Sequence, residues 1–247
     1  MANLSAVSSI RLYVASSLSF DTTIDLDAKQ VHYLKNVMRL APGDGLLVFN
    51  GREGEWRATV TAWGRRDGAL RVASLERSQT TESDLWLVFT PIKKARLDVL
   101  IEKAGELGAG RFVPVLTERT TVREINVGRA EALVIEAAEQ CGRMTLPTVD
   151  PIAPLNEVLA RWPDDRQLLF CDESGAGAPI ADALVDEVPG AWAVLIGPEG
   201  GFSSSERAAI AAKPFALPVA LGPRVLRADT AAIVALTMLQ AHLGDWQ

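Results

Sequence analysis

The run IGPEGGFSSSE (196–206) leaves an apolar segment, passes three glycines and enters a polar one. Glycines let a ligand approach the backbone with no Cβ in the way, and they adopt positive φ readily. Ser203 and Glu206 stand at capping-box spacing, which predicts a helix start near Ser203 and free N–H groups beside the loop. No Gly-Lys-Ser/Thr follows and no G-x-G-x-x-G is present, so the two common nucleotide loops are excluded. A tight strand–helix connection would use the same residues, and the spacing alone leaves both readings open. A second run, LGPRVLRADTAA (221–232), sets Arg224 and Arg227 beside a Gly222-Pro223 turn. Guanidinium groups grip phosphate or carboxylate through paired hydrogen bonds. Asp229 or Thr230 is placed to cap the helix that follows. In AAEQCGR (137–143), Gly142 reads as a helix stop with Arg143 as the favourable cation at its end.

Two textures of chain must position these runs. The first 80 residues read as short strands at 10–14, 45–50, 55–63 and 69–76, with turns at 42–45, 50–54 and 65–68 and one helix over about 27–39. Short strands with tight turns predict a small barrel. The polar stretch 78–84 is the natural linker. Beyond it, apolar strands at 84–90, 111–116, 167–171, 191–196 and 215–221 alternate with amphipathic helices, including Leu97, Leu100, Ile101, Ala104 and Leu107 on one face, 127–141 and 230–243. That alternation predicts a parallel sheet covered on both faces. Ligands in such sheets bind at the carboxyl ends of the strands, so the loops after Cys171, Ile196 and Leu221 are the candidate site.

Composition narrows the chemistry. The 247 residues carry 25 Lys+Arg against 31 Asp+Glu, a net charge of −6. Residues 1–80 hold ten basic and eight acidic residues, a net of +2, and the remainder is −8, so a basic face is confined to the first part and its junction. The two cysteines, Cys141 and Cys171, cannot by themselves build a disulfide framework or a four-ligand zinc site, and with His32 and His242 the only histidines, the sequence argues against a metalloenzyme of the HExxH or Cys-rich kind. No metal is expected. A hydrolase is remote, because there is no G-x-S-x-G and neither His32 nor His242 is paired with a nucleophile. No apolar run approaches the ~20 residues of a membrane span and no secretory pattern opens the chain, so the expected compartment is the cytoplasm, with no membrane partner.

Five strings occur in register: KKARLDVLIEKAGELG (93–108), ERT (118–120), AAEQCGR, LIGPEGGFSSSE (195–206) and LGPRVLRADTAA. With RLYV (11–14) and HYLKNVMRLAPGD (32–44), they make the chain resemble the RsmE family, the 16S rRNA uridine-N3 methyltransferases of the SPOUT superfamily, over nearly its whole length. The resemblance implies a PUA-like RNA-binding β-barrel over residues 1–80 and, over 81–247, an α/β methyltransferase domain with a mostly parallel sheet tied in a deep trefoil knot. It implies S-adenosylmethionine as cofactor, 16S rRNA within the small ribosomal subunit as partner, and a homodimer. Carried over motif by motif, Phe170, Asp172, Leu195, Ile196, Gly197, Gly201, Leu221, Gly222, Val225 and Leu226 would hold the cofactor, with Leu195 and Val225 flanking its ring. Arg227, Glu199 and Asp229 are the catalytic candidates, and Arg11, Lys35, Arg39, Lys93, Arg119 and Arg224 the RNA-binding ones. One departure is Ala228-Asp229, where the family usually carries Thr-Glu. Two other readings compete: a SPOUT methyltransferase with another RNA target, such as a ribose 2′-hydroxyl of transfer RNA, and a non-catalytic RNA-binding or ribosome-assembly protein. Cofactor binding separates the last from the rest.

Overall fold

A computed structural model describes residues 10–246. The chain divides into two compact units: the described residues of Met1–Thr81 with Ala138–Leu146, and Glu82–Ala137 with the described residues of Pro147–Gln247. Among the described residues no helix is long and apolar enough to cross a membrane.

The first unit is built on a five-stranded sheet. Its elements are β1 (Arg11–Tyr13), β2 (Thr23–Leu26), α1 (Ala28–Val31) running on as a π-helical turn (His32–Val37), β3 (Gly45–Phe49), β4 (Glu55–Trp63) and β5 (Gly68–Arg77). The strand order is β1-β3-β4-β5-β2, with β1 and β3 parallel and the other pairs antiparallel. β2 carries only two buried apolar residues, Ile24 and Leu26, too little signal for a sequence reading. Register shifts between β4 and β5 bend that pair, as bulges do. Leu12, Ile24, Leu34, Leu46, Val48, Val60, Leu70 and Val72 form one core beneath the sheet.

The single expected helix over 27–39 is a capped α-turn followed by the wider π-turn. Asp27 accepts the N–H groups of Lys29 and Gln30, and the Gln30 side chain returns to the Asp27 N–H, a complete capping box. At the far end Leu40 N–H donates to the Leu34 carbonyl at 2.9 Å, and Arg39 takes a left-handed φ of 59°, a position where glycine is usual.

Residues 138–146, placed in the second part by a linear division of the sequence, pack with the first unit. The reason is electrostatic. Arg11 Nε and Arg77 Nε both donate to the buried Glu55 carboxylate, at 2.5 and 2.8 Å. Arg11 also donates to the carbonyls of Ala138, Glu139 and Arg143, and Arg77 to that of Gly142. The Ala138 and Glu139 carbonyls lie in the last turn of a helix that ends at Cys141, where intrahelical partners run out, and those of Gly142 and Arg143 follow it, so two guanidinium groups satisfy the helix end. Gly142 makes the expected stop, at φ 85°.

The second unit is a parallel sheet in the order β11-β13-β10-β12-β6-β7-β8, with β9 paired to β7. The strands are β6 (Leu85–Phe89), β7 (Arg111–Leu116), β8 (Thr148–Val149), β9 (Ala153–Pro154), β10 (Arg166–Cys171), β11 (Ala178–Pro179), β12 (Ala191–Ile196) and β13 (Ala216–Ala220). All paired neighbours run parallel. The helices are α2 (Lys94–Glu106), α3 (Val127–Cys141), α4 (Leu155–Ala160), α5 (Ile180–Ala183), α6 (Ser204–Ala211) and α7 (Ala228–Leu243). The short α4 and α5, like β8, β9 and β11, hold too few residues for a visible periodicity.

Side chains alternate between two apolar layers, as the period of two requires. Leu85, Leu87 and Phe89 of β6 and Trp192, Val194 and Ile196 of β12 face a core shared with Leu100, Ile101, Leu236 and Leu239 of α2 and α7. Val88, Ala193, Leu195, Leu168 and Phe170 face the opposite layer, with Leu155 and Leu159 of α4 and Ile210 of α6. Both faces being covered explains why the strands read as continuous apolar runs.

Candidate active site

β10 lies between β12 and β13, so the chain reaches one side of β10 and then returns to the other. The carboxyl ends of these three adjacent strands form a switch point, where α/β sheets open a crevice. A cavity of about 580 Å³ occupies it, lined by residues 171–175, 196–199, 201, 220–228 and 231. That volume lies within the range of about 300–1,000 Å³ usual for small-molecule sites.

Each loop has a local reason for its shape. After β12, Gly197 cannot carry a side chain, because a Cβ there would stand 2.5 Å from the Phe202 ring. Phe202 is fully buried and packs edge-on against Phe170 at 5.2 Å, which anchors the loop to the core below. The expected capping box is complete: Glu206 N–H donates to Ser203 Oγ at 3.2 Å and Ser203 N–H to Glu206 Oε2 at 2.9 Å. Glu206 Oε1 takes a further bond from the Glu118 N–H at 2.7 Å, bracing this loop against the one after β7. Arg119 adds a second brace, donating to the Gly200 carbonyl at 3.0 Å.

The loop after β10 carries the buried Asp172, which accepts from Ser174 N–H and Oγ at 2.9 and 2.7 Å and pairs with Arg207 Nε at 3.2 Å. Glu173 accepts Arg207 Nη2 at 2.7 Å and the Phe202 N–H at 3.0 Å. Cys171, at the cavity floor, is pushed up to about 12 by burial and stays a neutral thiol. After β13, Gly222 turns the chain at φ 97°. Val225 is 87% exposed at the cavity wall, an apolar surface available to a ligand.

Most expected cofactor residues line this cavity: Asp172, Ile196, Gly197, Gly201, Leu221, Gly222, Val225 and Leu226. Phe170 and Leu195 do not. Both are fully buried in the layer beneath Phe202, because each strand's last two residues face opposite sides of the sheet. Their neighbours Cys171 and Ile196 take the lining positions. Ser174, Gly175, Ala220 and Ala231 also line the cavity, and no pattern in the sequence marks them.

Among the catalytic candidates, Glu199 and Arg227 line the cavity, both exposed. Neither side chain makes a hydrogen bond or ion pair among the described residues, and the same holds for the Arg224 side chain beside them. Asp229 is outside the lining. Its carboxylate, at the second residue of α7, receives Arg96 Nη1 at 3.0 and 3.1 Å. The expected cap on that helix is absent as well: Arg227 is the N-cap residue, with no side-chain bond, and Asp229 lies too far along to serve.

The RNA-binding candidates separate by burial. Lys35, Arg39, Lys93, Arg119 and Arg224 are exposed. Arg11 is 8% exposed, over the Phe49 ring, with its donors spent on Glu55 and helix-end carbonyls; no phosphate can reach it.

Residues 79–240 match the family model of the RNA methyltransferase domain, and residues 26–71 that of the RNA methyltransferase PUA domain. The fold and site therefore define a two-domain RNA methyltransferase. Ribosomal RNA small subunit methyltransferase E of Synechocystis sp. is 34% identical over 97% of this chain and 80% of its own. The Rickettsia conorii protein of the same name is 31% identical over 93% and 94%. Among solved structures, the Neisseria gonorrhoeae ribosomal RNA small subunit methyltransferase E bound to S-adenosyl methionine superposes with a TM-score of 0.84 at 28% identity, covering 97% of this chain and all (100%) of that one. A methyltransferase of Legionella pneumophila in complex with the same cofactor gives 0.85 at 30% identity, over 97% and 100%. The chain belongs to the ribosomal RNA small subunit methyltransferase E family, the RsmE family.

Proposed function

We propose that this protein transfers a methyl group from S-adenosylmethionine to N3 of one uridine of 16S rRNA in the small ribosomal subunit, the family target uridine 1498. It acts in the cytoplasm as a homodimer, with residues 1–80 gripping RNA and residues 81–247 carrying the transfer. The deep trefoil knot of the family belongs to the same reading; the return of the chain across β10 between β12 and β13 supports it. The observation that carries the proposal is the switch-point cavity with two unpartnered guanidinium groups at its wall, on a chain of this family.

The residues present fit the cofactor. Gly197 and Gly201 line the cavity with backbone alone, Ile196, Leu226 and Val225 offer apolar surface to a ring, and Asp172 and Glu173 provide the acidic lining that suits a cationic ligand. When bound, S-adenosylmethionine supplies an electrophilic methyl group. The protein must orient uracil N3 toward it and receive the N3 proton. Glu199 is the free carboxylate at the cavity and takes that proton in this reading. Arg227, with Arg224, offsets the negative charge that spreads over the uracil oxygens as N3–H is lost, or holds a phosphate.

The test is incubation of small subunits from cells lacking the enzyme with methyl-labelled S-adenosylmethionine, followed by digestion to nucleosides. Labelled 3-methyluridine is expected. Another labelled nucleoside moves the target, and no label with folded protein and competent RNA favours the binding-protein reading. RNA affinity should fall with salt in proportion to the phosphates contacted, and a flat response contradicts the basic residues' role.

A further inference from the structure

A second cavity, of about 390 Å³, opens on the far side of the bracing bonds, at the carboxyl end of β7 between α4 and α6. Its walls are apolar, from Leu116, Leu155, Leu159 and Ile210. Its rim is polar: Arg123, Asn156 and Glu118 are all exposed, and the Arg123 and Asn156 side chains make no hydrogen bond or ion pair among the described residues. Glu206, whose carboxylate is filled by the N–H groups of Glu118 and Ser203, lines this cavity and ties it to the loop after β12. The Arg119–Gly200 bond joins the same two loops, and Gly200 lies between Glu199 and Gly201 of the first cavity. An apolar slot with a free amide, a free carboxylate and a free cation at its mouth matches one nucleotide: a base face, a base edge and a phosphate. A slot of this volume sits at the small end of ligand sites and is too confined for a protein helix.

We infer that this second cavity takes an unpaired nucleotide of the RNA substrate, close in the strand to the methylated one. Its base fills the leucine-lined slot, Asn156 and Glu118 bond its edge, and Arg123 holds its phosphate. Unpaired bases can splay from the strand in this way, whereas stacked A-form bases cannot. The inference rests on the RNA-methylating reading above, and adds the substrate's conformation: the strand must be unpaired at two neighbouring positions.

The test compares wild type with Arg123→Ala, Asn156→Ala and the slot-filling Leu159→Trp. It reads affinity for small-subunit RNA, methyl transfer, cofactor affinity and molecular mass in solution. Arg123 and Asn156 are exposed, so their variants fold regardless of the outcome for Leu159→Trp. Each of these two variants should weaken RNA binding roughly tenfold, with cofactor affinity and mass unchanged. RNA affinity equal to wild type in both overturns the inference while leaving the methyltransferase reading intact. A change of mass in place of RNA affinity assigns the cavity to a contact between copies and also overturns it. Wild type that binds RNA without methylating it refutes the reaction alone, because the affinity comparison still reads the cavity.

Discussion

Glu173 Oε1 occupies the place where a side chain on Gly201 would have to go. The same oxygen accepts Phe202 N–H and Arg207 Nη2, so one carboxylate from the loop after β10 holds the loop after β12, and only a glycine lets it approach. Gly201 also takes φ 67°, which costs an L-residue roughly 1–2 kcal/mol. Gly201→Ala should therefore weaken S-adenosylmethionine binding at least tenfold by calorimetry and lower the melting temperature. Adding Glu173→Ala removes the clash and leaves the backbone strain, so the double variant should regain only part of the loss. Full recovery would show that strain is negligible here.

Arg227 and Asp229 are two residues apart and differ in setting, one free at the cavity and one paired to Arg96 outside it. Arg227→Ala should keep cofactor binding within a few-fold and lose most turnover on unmodified subunits. Asp229→Asn should lose less than tenfold in turnover and cost about 0.5–1 kcal/mol in a denaturant titration, as a partly buried ion pair near the surface does. Wild-type rates for Arg227→Ala, or abolished turnover for Asp229→Asn, would reverse these assignments.

Glu55 links acid stability to the first unit. Burial pushes its carboxyl up, but the bonds from Arg77 and Arg11 outweigh that and leave it below its ordinary value of 4.5. A carboxyl lowered in the folded state contributes stability that is fully present above that ordinary value and is lost as pH falls through the folded one. Stability of the wild type should decline below about pH 4.5, and Glu55→Gln should remove much of that dependence. At neutral pH the variant should cost about 3 kcal/mol, since it strands a buried guanidinium. Equilibrium urea unfolding at two pH values measures both.

Arg39 holds a left-handed backbone that glycine adopts at no steric cost. Arg39→Gly removes the cation and relaxes the turn together. The melting temperature should hold or rise, RNA affinity should fall, and the slope of log affinity against log salt should shrink by about 1. Unchanged affinity and slope would remove Arg39 from the RNA surface.

Cys171 is buried with its thiol pushed up to about 12, whereas Cys141 is exposed. The native protein should react with one equivalent of a thiol reagent at pH 8, and the unfolded chain with two, matching its two cysteines. Two fast equivalents in the native state would mean that the cavity floor opens.

Much of this protein is written locally. The parallel strands, the switch-point loops, the capping box at Ser203 and Glu206 and the stop at Gly142 all follow from apolar period, glycine placement and short-range side-chain bonds. Tertiary structure decided what depends on partners distant in sequence. Arg11 looks like a free cation in RLYV, yet a carboxylate 44 residues away and a helix end beyond residue 137 bury it. Asp229 looks like a cap or a base, and Arg96, 133 residues away, turns it aside. Phe170 and Leu195 stand one residue from the cavity, and only the register of strand against loop decides which neighbour faces it. A charge or a ring acts through what surrounds it in space, and sequence spacing fixes those surroundings only within a turn or a strand.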